Sequence, residues 1–291
     1  MQEPKFKLFD FLLYCFFAVL AIITIFPFYN VIIMSLTNTV GYAKHNPYIL
    51  PYVIDLSGYK AIINDEFFLK SFKVTLFVTI VGTTLNMTFS ILTAYVLSRK
   101  KLVGRKFFTG FVLFTMLFSG GMVPTYLVVS KIGLYNSIWS MIFPVLLSTY
   151  YIIIMKNYFQ SLPVSLEEAA IIDGANDFQI LTQIYLPISK PFMSTFALFY
   201  AVERWNEWWN AYLYINDKNI KPLQIYLKDI MVIYNNQIAP QMQQMAEEKL
   251  RIFPQSVQMS TIVITMVPII CVYPFLQKYF VKGIMLGSTK E

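Results

Sequence analysis

Residues 161–191 read SLPVSLEEAAIIDGANDFQILTQIYLPISKP, the one polar and densely punctuated segment in a chain otherwise built from long apolar runs. Pro163 ends the preceding helix, because a proline biases the residue before it away from the α region. Ser165 is placed to cap a new helix, and Glu168, three positions on, completes a capping box that suits the positive helix end. Ala169 and Ala170 leave a face with little bulk, and Gly174 supplies the left-handed residue that ends the helix after about two turns. Asn176 or Asp177 then caps a second helix whose Ile180, Leu181 and Ile184 share a face, and Pro187 and Pro191 stop it. The expected product is a bent helix pair, a small rigid knob suited to a groove on another protein.

Around this segment the solvent is not mainly water. Of 291 residues 57% are hydrophobic and 13% charged, against roughly 25% charged in a soluble domain. Apolar runs cover residues 8–36, 68–97, 107–129, 137–159, 188–215 and 256–281, each long enough to cross about 30 Å of hydrocarbon at about 1.5 Å per residue. The first is too long for a signal-peptide core and lacks a small-residue cleavage site. The expectation is an all-α polytopic membrane protein with six transmembrane helices, divided into an N-terminal span with an external segment (1–67) and a five-helix core (68–291).

Orientation follows from the basic residues. Arg99, Lys100, Lys101, Arg105 and Lys106 form the densest basic cluster and mark a cytoplasmic connection. Both termini then fall on the cytoplasmic side, in accord with Lys5, Lys7, Lys278, Lys282 and Lys290. The long connection 216–255 lies outside despite its basic residues, because long connections translocate regardless of charge. The net charge of +7 is thus a matter of membrane orientation rather than nucleic acid, whose binding would gather Lys and Arg in a stripe.

Within the spans, Pro27, Pro124, Pro144, Pro268 and Pro274 each remove a backbone donor, so bent, packed helices are expected. Gly82, Ser90 and Ala94 let helices approach closely in the second span. Cys15 and Cys271 read as buried packing residues, and His45 stands alone in a polar loop. Leu223, Tyr226, Leu227, Ile230, Met231 and Tyr234 make a helical stripe in the long connection, and residues 59–68 read as a short helix before the second span.

The knob carries a family resemblance. Glu168, Ala169, Ala170, three residues, Gly174, nine residues, Ile184, one residue, Leu186 and Pro187 resemble the EAA motif of ABC importer permeases. SGGMVPTYLVV (119–129), WNEWWNA (205–211) and KYFVKGIMLGSTKE (278–291) resemble the carbohydrate, MalG-like branch, and within it the LplC and YtcP oligosaccharide permease group. The resemblance implies a type I (MetI-like) permease fold in the cytoplasmic (inner) membrane of a bacterium. It further implies a second homologous permease subunit, two cytoplasmic ATPase subunits, an extracytoplasmic solute-binding protein and an oligosaccharide substrate. Ser165, Glu167, Glu168, Ala169, Ala170, Asp173, Gly174, Ile184, Leu186 and Pro187 become the ATPase-coupling residues at 165–186. By the same resemblance, part of the connection 216–255 enters the binding protein. The chain has no Gly-x-x-x-x-Gly-Lys-Ser/Thr loop, so ATP and Mg are expected on the partner ATPase subunits and no cofactor on this chain.

The fifth span holds a polar and aromatic centre of Glu203, Arg204, Trp205, Asn206, Glu207, Trp208, Trp209 and Asn210, followed by Tyr212. An ionisable side chain facing lipid at the midplane costs roughly 2.5 to 3.5 kcal/mol or more, so these groups face protein or water. On a continuous helix Glu203, Glu207 and Asn210 share one face and Arg204 reaches Glu207. Two readings stand: a hydrophilic translocation path, with Trp205, Trp208 and Tyr212 stacking on sugar rings, or a structural ion pair with the partner permease and an interfacial tryptophan belt.

Two other classes compete. An ion-coupled secondary transporter would use Glu203 and Glu207 as proton sites, but it has no use for the knob. A membrane-embedded enzyme needs a metal cluster or an activated nucleophile, which one loop histidine and two distant cysteines do not supply. The charge of the sugar, neutral or uronic, is open at this point.

Overall fold

The computed structural model describes residues 8–38, 50, 54–234 and 255–271. Among them every regular element is helical. His45, the basic residues at both ends of the chain, Pro274 and the motif at 278–291 lie outside the described residues.

The chain folds as two compact units. The first comprises Met1–Phe68 and Leu227–Val267. Its α1 (Leu8–Ser35) is apolar around its whole circumference, and residues 11–28 are all exposed, so the helix requires lipid or another apolar surround. Cys15 is exposed on it and Cys271 is exposed at the end of the last described helix, where buried packing residues were expected. Among the described residues none covers most of α1, so its cysteine has no core to enter there.

The C-terminal end of α1 is packed against described residues of the unit. Ser35 and Tyr59 share a hydrogen bond of 2.6 Å between side-chain oxygens, and Tyr59 sits on α2 (Ser57–Ile63). α2 is shorter than the expected 59–68 helix, because Asp65 accepts from Phe67 N and starts the next one. The last helix, α13 (Gln255–Cys271), places Ser256 and Ser260 one turn apart, and both hydroxyls donate to the Ser35 carbonyl, at 3.2 and 3.3 Å. A hydroxyl pair of this kind satisfies a carbonyl that water cannot reach.

The second unit comprises Leu69–Tyr226 and Pro268–Glu291. It contains nearly all of α3 (Glu66–Ser98), a single helix of about 50 Å at 1.5 Å per residue. The small residues on α3 serve as close-packing points. Ser90 Oγ lies 2.7 Å from the Tyr200 hydroxyl, and Ala94 is wholly buried. Asn86 donates to the carbonyls of Val145 and Leu146 at 3.0 and 2.6 Å.

Three of the expected spans are broken rather than continuous. α4 (Arg105–Leu117) and α5 (Met122–Lys131) meet at 114°. The break falls at Ser119-Gly120-Gly121, where Gly121 has φ of 87°, a conformation glycine adopts without strain. The next pair consists of two 3₁₀ turns, Ile138–Met141 and Phe143–Val145, followed by α6 (Thr149–Ser161), bent by 50°. Ser137 and Ser148 cap these pieces, and Pro144 takes the second position of the second turn, where its missing N–H is harmless. The fifth consists of α10 (Lys190–Trp205) and α11 (Trp209–Tyr214). Two helices, Phe9–Ser35 and Glu66–Ser98, are long and apolar enough to span alone, and up to four spans result if each bent pair counts once.

In the long connection, α12 (Leu223–Tyr234) forms where the stripe was expected. Leu223 and Tyr226 are buried, and Leu227, Ile230 and Met231 half-buried. Residues 235–254 lie outside the described residues.

Candidate functional site

The knob is built from local signals. α6 ends at Ser161, and Leu162 turns extended (ψ 146°) ahead of Pro163, as a residue preceding proline must. α7 (Val164–Ile172) begins two positions earlier than expected, with Pro163 rather than Ser165 at its N-cap and no side-chain cap. Ser165 and Glu168 therefore form no capping box. Ser165 already lies in the first helical turn, since Pro163 pre-sets the backbone there.

The end of α7 is closed in a Schellman arrangement. Gly174 N donates to Ile171 O at 3.1 Å and Ala175 N to Ala170 O at 2.9 Å, with Gly174 at φ +82°. Asn176 then caps α8 (Asp177–Gln179) in a reciprocal box with Gln179, both bonds being 2.9 Å. A π-helical stretch, Ile180–Tyr185, and α9 (Leu186–Ile188) follow without a gap. Pro187 and Pro191 do not stop the helix. Each sits at the first or second position of a new helical segment, where no intrahelical donor is needed.

This geometry sorts the expected coupling residues. Glu168, Ala169, Asp173, Gly174 and Pro187 are exposed, together with Ser165. Ala170 is buried, and Ile184 and Leu186 pack against the core of Ile180, Leu181 and Tyr185. Two apolar side chains missed in the sequence stand out beside Gly174: Ile172 is 85% exposed and Phe178 68%. Their signal was an apolar residue at each end of a polar loop.

Arg99, just beyond α3, does more than mark orientation. Its guanidinium pairs with Glu167 on α7 at 2.5 Å and with Asp177 on α8 at 2.9 Å. The Tyr185 hydroxyl donates to the same Glu167 oxygen at 3.2 Å. Burial first, and then the Glu167 carboxylate, push the Tyr185 phenol above its ordinary value. A cleft of about 430 Å³ lies beside this cluster, lined by Arg99, Lys100, Lys101 and Arg105 together with Glu167 and Glu168.

The second candidate region is the break between α10 and α11. Because the helix stops at Trp205 and restarts at Trp209, Glu203 does not share a face with Glu207 and Asn210. Glu203 is exposed and accepts from the Tyr151 hydroxyl at 2.6 Å. Arg204 and Glu207 turn inward, 5% and 7% exposed, and pair at 3.5 Å. Arg204 Nη1 also donates to Met141 O at 2.8 Å. Glu207 accepts from Asn210 N and Nδ2, at 2.9 and 3.0 Å. The pair thus closes within this chain. Two desolvated charges are tolerated here because hydrogen bonds to Met141 and Asn210 satisfy them further.

Gly82 makes room for this arrangement, since a Cβ there would lie 2.9 Å from Arg204 Cδ. Trp205 is buried, with Phe72 edge-on at 6.1 Å. Asn206, Trp208, Trp209 and Tyr212 are exposed, and the two adjacent indoles meet edge to face at 5.3 Å. Among the described residues no group of three or more His, Cys, Asp or Glu side chains is placed to hold a metal.

Residues 61–286 match the family described as the binding-protein-dependent transport system inner membrane component. The chain belongs to this family. Among the relatives of this permease is the polygalacturonan/rhamnogalacturonan transport system permease protein YtcP of Bacillus subtilis, 41% identical over 98% of this chain and 99% of that one. Protein LplC of Bacillus subtilis is 40% identical over 92% and 90%. A chain from the crystal structure of a bacterial ABC transporter involved in the import of the acidic polysaccharide alginate superposes with a TM-score of 0.88. It is 31% identical over 96% of this chain and 99% of that one. The protein is a carbohydrate ABC importer permease, an integral membrane component and not an enzyme.

Proposed function

We propose that this permease imports uronic-acid-containing oligosaccharides by alternating access, driven through its knob by ATP hydrolysis on separate subunits. The observation that carries the coupling half of this reading is the exposed tip of the knob. Glu168, Ala169, Asp173 and Gly174 present a small-residue surface flanked by the outward-facing Ile172 and Phe178. A projection whose two helices are closed at the tip, by the turn at Gly174 and the Asn176–Gln179 box, transmits force as one body, and its apolar side chains suit a groove on an ATPase subunit. In this reading ATP and Mg sit on two such subunits, a second homologous permease completes the passage, and an extracytoplasmic binding protein delivers the sugar.

Six spans belong to the same reading. α1 and α3 span singly, the two bent pairs and α10 with α11 each make one broken span, and 256–281 makes the sixth, with both termini cytoplasmic. The uronic substrate is supported by the named functions of two relatives, one for polygalacturonan and rhamnogalacturonan and one for alginate. Trp208, Trp209 and Tyr212 offer ring faces to the sugar backbone, while Arg204 is occupied inside the fold and takes no part in holding the solute.

The deciding experiment is a Gly174→Trp variant of the importer reconstituted with its partner subunits in proteoliposomes. Trp at the knob's tip blocks docking, so ATP continues to be hydrolysed without accumulation of trigalacturonate. Wild-type accumulation by this variant contradicts the coupling role. Accumulation of a neutral trisaccharide in preference to trigalacturonate contradicts the substrate assignment alone.

A further inference from the structure

We infer that Arg99 is the positioning residue through which movement of the knob reaches the second span. The inference rests on the coupling reading above. By covalent connection the knob joins only α6 and α10; without Arg99, α3 would feel its displacement through apolar packing and the Tyr95 hydroxyl bond to the Asp177 carbonyl. Arg99 adds a directed link. As the first residue after α3 it places one guanidinium against carboxylates from both helices of the knob: Nη1 is in ion-pair contact with Glu167 on α7, and Nη2 donates to Asp177 on α8 at 2.9 Å.

The link is built into its surroundings. Tyr95, one turn earlier on α3, lies under the guanidinium with its ring centroid 5.2 Å away. Its hydroxyl donates to the Asp177 carbonyl at 3.1 Å. The last carbonyls of α3 are served by other side chains. Arg105 Nε donates to Leu97 O at 3.1 Å, and Gln160 Nε2 to Ser98 O at 3.3 Å. Arg99 is therefore committed to the knob rather than to its own helix end. The Arg99 and Glu167 side chains are 14% and 20% exposed, so this arm is poorly screened by solvent. Asp177, at 75%, forms the weaker arm.

A pair that only stabilised the fold would change how much importer assembles. A transmitting pair changes how strongly the binding protein drives the ATPases. The test therefore uses the full importer in proteoliposomes and reads the ratio of binding-protein-stimulated to basal ATP hydrolysis, which depends on no particular sugar. Arg99→Gln lowers this ratio by about tenfold and Asp177→Asn by about threefold. A wild-type ratio in Arg99→Gln overturns the inference. If Arg99→Gln does not assemble, Asp177→Asn decides, because its side chain is exposed and the Asn176 to Gln179 box stays intact. A wild-type ratio there overturns the inference equally. Gly174→Trp separates the two levels. A normal ratio in Gly174→Trp removes the coupling reading and the Arg99 inference with it. Loss of stimulation in Gly174→Trp, with normal Arg99→Gln and Asp177→Asn, removes Arg99 alone.

Discussion

Arg204 Nη1 on α10 donates to the backbone carbonyl of Met141, 63 residues earlier, at 2.8 Å. The bond joins the breaks of two spans, since Met141 closes the first 3₁₀ turn and Arg204 sits one residue before α10 ends. Replacing Arg204 by Met leaves Glu207 buried without its cation. A loss of about 3 to 5 kcal/mol follows from an uncompensated buried charge. It will be seen as a lower midpoint in thermal unfolding of the detergent-solubilised protein, whereas an unshifted midpoint would mean that Glu207 is satisfied by Asn210 alone.

In the first unit, Gly58 is packed so closely that an added Cβ would lie 2.5 Å from Ser256 Oγ and 3.0 Å from the Ser256 carbonyl carbon. Backbone cannot give way as a side-chain tip can. Gly58→Ala is expected to cost about 1 to 3 kcal/mol by overpacking, read as reduced yield of folded protein and a lowered unfolding midpoint.

Gly174 differs from Gly58 in having nothing within 4 Å of its added Cβ, while its φ is +82°. The cost of Gly174→Ala is backbone strain alone, about 1 to 2 kcal/mol, and Gly174→Asn costs less because Asn visits this region more readily. Uptake by the Asn variant close to wild type, beside a blocked Trp variant, would show that bulk rather than strain is what the tip cannot accept. Equal loss in both would assign the effect to strain.

The tryptophans at the fifth-span break separate in the same way. Trp208 is exposed and Glu207 buried. Trp208→Ala leaves assembly intact and lowers apparent affinity for trigalacturonate uptake by about two- to tenfold, the worth of one aromatic stacking partner. Glu207→Ala lowers the amount of assembled importer instead. Unchanged uptake in a fully assembled Trp208→Ala importer takes that ring out of the solute path.

The knob was legible because its determinants lie within a few residues of one another: Gly174 at a positive φ, Asn176 with Gln179, and the buried Ile180 and Leu181. Its start was misread, since Ser165 and Glu168 match a capping pattern that Pro163 had already made unnecessary. Arg99 was legible as a mark of orientation, but its link to the knob was hidden for a different reason. Its partners are 68 and 78 residues away, and no local pattern distinguishes it from the neighbouring Lys100 and Lys101. The broken spans were equally hidden. Hydropathy reads Ser119-Gly120-Gly121 and Asn206 to Trp208 as mild dips in apolar runs, although each supplies a turn. Once α10 stops at Trp205, the periodicity that put Glu203 and Glu207 on a common face no longer applies.

The link between Arg204 and Met141 has an optical counterpart. The chain contains four tryptophans. Trp139 lies in the turn that ends at Met141, and Trp205, Trp208 and Trp209 gather around the break that follows Arg204. Every indole in the polypeptide therefore flanks one polar seam, so tryptophan emission from the unlabelled protein, excited at the red edge where the 20 tyrosines do not absorb, reports on that seam.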